Sequence, residues 1–191
     1  WIDAYTLEVR STTRTPHGEF TAASRLTRDE PGWAIERPVK DIARDLPAYE
    51  CATLDGNPED MDVSGAVRAW HEVGESYLLE AYLGVPFFDY YAGGREGGFE
   101  AGVYDVMTPE LEPVLERLRA RYTEHLVRKA RVLCERTPFE SFFIGCSWSC
   151  NSLIGPMLWR ELDVPVIRAV RDEVHRHGRL LHIHVHGRCM E

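Results

Sequence analysis

Residues 180–189 read Leu-Leu-His-Ile-His-Val-His-Gly-Arg-Cys, and this strict alternation of imidazole and aliphatic side chains suits one regular backbone, an extended strand. His182, His184 and His186 then share one face, and Leu181, Ile183 and Val185 share the other. Upstream, Pro165 to His177 carries helical spacing and is closed by Gly178, and Phe142-Phe143-Ile144 reads as a short buried strand. Strand, helix and strand in that order predict a βαβ unit, hence a parallel sheet. Loops and side chains converge at the C-terminal ends of such strands, so Gly145-Cys146-Ser147-Trp148-Ser149-Cys150 and His184 to Cys189 are expected at one working edge. Imidazole is the commonest metal ligand and titrates near neutrality, so three in register point to a site.

The rest of the chain is read in the same way. Tyr5, Leu7 and Val9 alternate, and Thr15-Pro16-His17-Gly18 suits a type I turn, which predicts a β-hairpin arm over residues 1–27. Pro31 to Pro38 reads as extended chain, and Asp41 to Leu46 as a single helical turn. Asn57-Pro58-Glu59 opens a helix expected to run to about Val73, and Tyr77 to Leu83 is a candidate buried strand. Phe87, Phe88, Tyr90 and Tyr91 follow as an aromatic cluster, with Gly93-Gly94 and Gly97-Gly98 around Arg95-Glu96. Those glycines lack dinucleotide-binding spacing. Thr108-Pro109-Glu110 starts a long amphipathic helix, with room for one break, carried by Leu111, Val114, Leu115, Leu118, Tyr122, Leu126, Ala130 and Leu133.

At 191 residues the chain suits one domain with a real core. It opens on Trp1 without an initiator Met and stops just past a strand, so it reads as a piece of a longer protein. A net charge of −9 argues against a nucleic-acid binder, whose surface carries basic patches, and no apolar run has membrane-spanning length. Five cysteines at no framework spacing suit a reducing, cytoplasmic setting.

Taken in order, these motifs resemble the uroporphyrinogen decarboxylase superfamily, most closely over residues 108–187. The resemblance rests on Pro109-Glu110 at a helix start, Ser147-Trp148 after a strand, Gly155-Pro156-Met157-Leu158-Trp159 before Pro165, and His175 to Gly178 before the histidine strand. A weaker likeness covers Thr15-Pro16-His17-Gly18 with Pro38-Val39-Lys40-Asp41. It implies a (β/α)8 TIM barrel, incomplete in this chain, with residues 1–40 as an arm and residues 41–191 as barrel units of a single domain.

The superfamily's methyltransferase branch uses a His-x-Cys pair and a later Cys to hold zinc, which activates a thiol toward a methylated corrinoid. Aligned on Gly187, that pair falls on His184 and His186, with the later ligand beyond Glu191, Cys189 close by and His182 in support. The implied catalytic residues are Ser147, Cys146 and Tyr90, and the implied substrate contacts are Trp148, Tyr91 and Arg95. Either tyrosine fits the family's substrate-facing position, and both also suit a core; Arg95 suits a substrate contact or a solvated turn. Cys146 and Cys150 read as further thiol ligands or as buried small residues.

The leading expectation is zinc-dependent methyl transfer between a corrinoid and a thiol. The alternatives are metal-free uroporphyrinogen decarboxylation and a non-catalytic module binding a tetrapyrrole or a partner protein. Cys146 stands where decarboxylases carry Asp before Ser-Trp, and their arginine-rich opening motif does not occur, which sets the methyltransferase branch first. Expected partners are a corrinoid, free or carried on a protein, a small thiol and a second copy of the chain.

Overall fold

The computed structural model describes residues 1–188 and divides the chain into two units, residues 1–56 with 91–109, and residues 57–90 with 110 onward.

The first unit opens on the expected hairpin. Strands β1 (Thr6–Thr15) and β2 (Gly18–Thr27) pair antiparallel from Thr6↔Thr27 to Thr15↔Gly18, and β3 (Trp33–Glu36) adds to β2 across a bulge at Ala23/Ser24. The tight turn follows from Pro16, whose ring presets φ, and from the Thr15 hydroxyl, which accepts from His17 N–H at 3.1 Å and donates to Gly18 O at 3.0 Å. Helix α1 (Ile42–Leu54) packs on this hairpin. It is far longer than the single turn expected from its sequence, because two carboxylates secure its start. Asp41 accepts from Arg44 N–H, and buried Asp45 accepts from the N–H groups of Lys40 and Asp41 at 2.9 and 2.8 Å. Pro47 is tolerated inside the helix. Helix α3 (Phe87–Gly94) crosses from the second unit into the first, where Tyr91 and Ala92 join Leu46, Ala48 and Val39 in the core. Helix α4 (Gly98–Val106), over residues to which the sequence analysis assigns no element, follows.

The second unit holds a parallel sheet in the order β4 (Glu80–Gly84), β5 (Ser141–Cys146), β6 (Leu180–Val185). Helix α2 (Ser64–Val73) follows a 3₁₀ turn at Pro58–Asp60, so the single helix expected there is split. Helix α5 (Glu112–Arg136) is unbroken and buries Leu115, Leu118, Tyr122, Leu126, Ala130 and Leu133 of the predicted stripe, while Val114 is half-buried and Leu111 lies in the 3₁₀ turn before it. A short α6 (Gly155–Leu158) runs through a π-helical turn at Trp159–Asp163 into α7 (Val164–Arg176), which Gly178 closes at φ 68°. Buried Glu173 on α7 pairs with Arg131 of α5 at 2.9 Å. Although burial opposes ionisation, Arg131 and Arg176 keep this carboxyl below its ordinary range.

Helices α5 and α7 pack on one sheet face, where Ala81, Leu83, Phe142, Ile144 and Cys146 are buried. Along the opposite rows Tyr82 is 54% exposed and His182, His184 and His186 are all exposed.

The TIM barrel expected from the family resemblance is not what the chain forms. Among the described residues there is one antiparallel and one parallel three-stranded sheet, with no eight-fold arrangement. The physical reason lies in the pairing: β1 to β3 satisfy one another antiparallel, and the three parallel strands leave β4 and β6 as open edges. The architecture is mixed α/β. No described helix is long and apolar enough to cross a membrane.

Candidate functional site

The histidine strand forms where the alternation placed it. Parallel pairing sets His182 beside Phe143 and His184 beside Gly145, and the ladder continues with His186 N–H donating to Cys146 O at 3.3 Å. On the uncovered face the rings form a row. Tyr82 and Phe143 lie 5.8 Å apart, Phe143 and His182 5.4 Å, and Phe143 and His184 6.2 Å between ring centres.

His182 is engaged at the far end of this row. Its Nδ1 lies 3.1 Å from Glu80 Oε2, and Glu80 Oε1 accepts the Ser141 hydroxyl. That hydroxyl, with His182 adding to it, holds the Glu80 carboxyl below the usual range. The carboxylate sits between serine and histidine, so the imidazole cannot take the serine proton directly; the trio fixes His182.

His184 and His186 stand at the C-terminal end of β6 with ring centres 4.7 Å apart and planes at 89°. Two imidazoles bound tetrahedrally to one zinc at about 2.0 Å put their ring centres about 5 Å apart, so the spacing of this pair is compatible with a shared ion. Among the described residues no third His, Cys, Asp or Glu completes a three-donor group there. Cys189 lies outside the described residues.

The neighbouring strand end is held by a carboxylate that sequence reading missed. Asp89 of α3, 7% exposed, accepts three consecutive N–H groups, from Ser147 at 3.2 Å, Trp148 at 2.8 Å and Ser149 at 3.1 Å. This fixes the loop after β5, leaving Ser147 exposed and Trp148 half-buried, while Cys146 and Cys150 are buried at 2% and 0% exposure. An acid inside the run Phe87-Phe88-Asp89-Tyr90-Tyr91 was the available signal, because a carboxylate in an aromatic stretch must find donors.

A second buried carboxylate supports the same region. Asp163, in the π-helical turn, accepts from Phe88 N–H at 2.9 Å, but its Oδ2 has no hydrogen-bond partner. Burial pushes its carboxyl up to about 7, with the neighbouring Asp89 charge adding to the effect. Ser149 is near enough to oppose that shift, yet its hydroxyl completes no hydrogen bond. Asp163 stands immediately before α7 but makes no capping bond to it; its side chain serves α3 instead.

Tyr90 stacks on Tyr122 with ring centres 4.1 Å apart and planes at 13°. Tyr91 and Arg95 belong to the first unit, where both bond Asp105 Oδ2 at 2.7 Å, and Arg95 also donates to Val39 O and Lys40 O. The strand-end residues His184, His186, Cys146, Ser147 and Trp148 therefore share one unit and one sheet edge.

Comparison of the chain with protein-family models, with curated proteins and with solved structures gives no match. Function is therefore read from the residues themselves.

Proposed function

We propose that this chain is a metal-dependent transferase in which His184 and His186 hold zinc and the transferred group is a methyl passed between a corrinoid and a small thiol. The observation that carries the reading is the paired, exposed imidazoles at the strand end, at a spacing that suits one tetrahedral ion. A zinc ion there would lower the pKa of a bound thiol and favour its nucleophilic thiolate. Neutral imidazole lone pairs from His184 and His186 supply the donors. Glu80 fixes His182 and with it the start of the row, and Asp89 holds the neighbouring 147–149 loop still. Tyr82 and Phe143 add an apolar aromatic floor suited to the flat face of a macrocycle.

The test is thiol-dependent demethylation of methylcobalamin by the zinc-loaded protein, followed beside bound zinc per chain. Loss of about one zinc per chain and of demethylation in the His184→Ala/His186→Ala double variant supports the reading. Demethylation that survives the double substitution, or zinc stoichiometry unchanged by it, refutes it. Turnover of uroporphyrinogen by chelator-treated protein would replace it with the metal-free alternative.

A further inference from the structure

The hairpin turn carries a histidine that the site above does not use. His17 follows Pro16 in the loop between Thr15 and Gly18, and the end of α1 presents Cys51 and Asp55 beside it. One ligand atom from each of His17, Cys51 and Asp55 lies within 4.8 Å of the other two. Cys51 and Asp55 are four residues apart, so their side chains share one helix face, and Asp55 N–H bonds back to Cys51 O at the last turn.

We infer that His17, Cys51 and Asp55 form a binding site for a zinc-class divalent transition metal that fastens the hairpin turn to the end of α1. Three features support it. The donor set is one imidazole, one sulfur and one carboxylate, a borderline-soft combination that suits zinc and disfavours magnesium or calcium.

The backbone that carries the histidine is held in place before any ion arrives: Pro16 stiffens the loop, and the Thr15 hydroxyl clamps His17 N–H and Gly18 O. A Cβ placed on Gly18 would lie 3.9 Å from Ala48 Cβ, so the turn sits against α1 with room only for ordinary contact. Donors around one tetrahedral zinc are about 3.5 Å apart, so side-chain rotations moving each donor by about 1 Å close the set.

The third feature is electrostatic. The C-terminal end of α1 carries the negative end of the helix dipole, and its last turn holds no basic residue to neutralise it. A cation there meets a favourable field. With His17 and Asp55 exposed, the fourth coordination position faces solvent and takes water.

The experiment uses the His184→Ala/His186→Ala chain, so that the outcome is independent of the proposed catalytic pair. Cobalt(II) is titrated as a spectroscopic stand-in for zinc. The expected result is a thiolate-to-cobalt charge-transfer band that Cys51→Ser abolishes, with affinity falling about tenfold or more in His17→Ala. Alkylation followed cysteine by cysteine in the unmutated chain needs no variant to fold. Zinc should slow modification of Cys51 and leave buried Cys134, Cys146 and Cys150 unaffected. A band that persists in Cys51→Ser, no band at all, or equal alkylation of Cys51 with and without zinc overturns the site.

Discussion

Replacing Asp163 with Asn tests the energetics of the second unit at a single buried carboxyl. The wild-type group has an unpartnered Oδ2 and is pushed up to about 7. An unfolded chain would titrate the same group near 3.8. Each unit of difference is worth about 1.4 kcal/mol, so the gap amounts to about 4 kcal/mol at most. The sign follows from proton counting. Between roughly pH 4 and 7 the folded state keeps a proton that the unfolded state releases, so stability falls as pH rises through that window and is lowest above it.

The amide introduced by Asp163→Asn would carry no charge, would still accept from Phe88 N–H, and would offer its NH₂ to the nearby Ser149 hydroxyl. Wild type and Asp163→Asn should therefore be equally stable to within about 1 kcal/mol at pH 4, where neither side chain is charged in the folded state. At pH 8 the variant should be more stable by about 2–4 kcal/mol, the lower figure allowing for an imperfect amide hydrogen bond. Urea unfolding at pH 4, 6, 7 and 8, followed by circular dichroism and tryptophan fluorescence, measures the difference, with m-values compared to show that both chains unfold alike. A stability difference that does not grow with pH, or a variant weaker at pH 8, refutes the claim that burial holds this carboxyl neutral.

Asp89→Ala removes the acceptor for three consecutive N–H groups and should cost about 2–4 kcal/mol, with faster hydrogen exchange at Ser147, Trp148 and Ser149; protected amides there would show that another group holds the loop. Gly187→Ala places a Cβ 2.5 Å from Cys150 Sγ and 2.8 Å from Ser152 Oγ, so the strand end must shift; a loss of about 1–3 kcal/mol by thermal unfolding is expected, and an unchanged Tm would show that the loop yields freely. In the first unit, the Arg44 guanidinium and the Asp41 and Lys40 N–H groups draw the Asp45 carboxyl down to about 2 against the opposing effect of burial. Its contribution is present above pH 4 and lost as pH falls through 2, so Asp45→Asn should lower stability at pH 5 and be neutral near pH 2; a penalty equal at both pH values would assign the effect to shape.

Much of the local structure was legible because local rules decide it. The 15–18 turn rests on proline geometry and a threonine clamp, α5 on a stripe repeating every three or four residues, the close of α7 on Gly178, and β6 on alternation. The start of α1 was legible but its length was not, since the bonds by which Asp45 reaches back to Lys40 and Asp41 and secures the first turn are contacts that a short reading window passes over. The split between the Pro58–Asp60 turn and α2 was missed for a related reason: a good N-terminal signal says where a helix can start and nothing about where it stops.

The site divides along the same line. Composition and periodicity alone determined that His182 and His184 share one face of a strand with His186 just past its end, that a parallel βαβ unit carries them, and that two of the three stand at its C-terminal edge. Alternation has the same consequence in any sheet, so those statements survived even though the barrel did not. Tertiary structure decided how many strands pair, which sheet face stays uncovered, that Asp89 and Asp163 serve distant backbone, and that His17 meets Cys51 and Asp55. These depend on contacts between residues far apart in the chain, whose energies are set by burial and geometry in three dimensions, and no window along the sequence contains them.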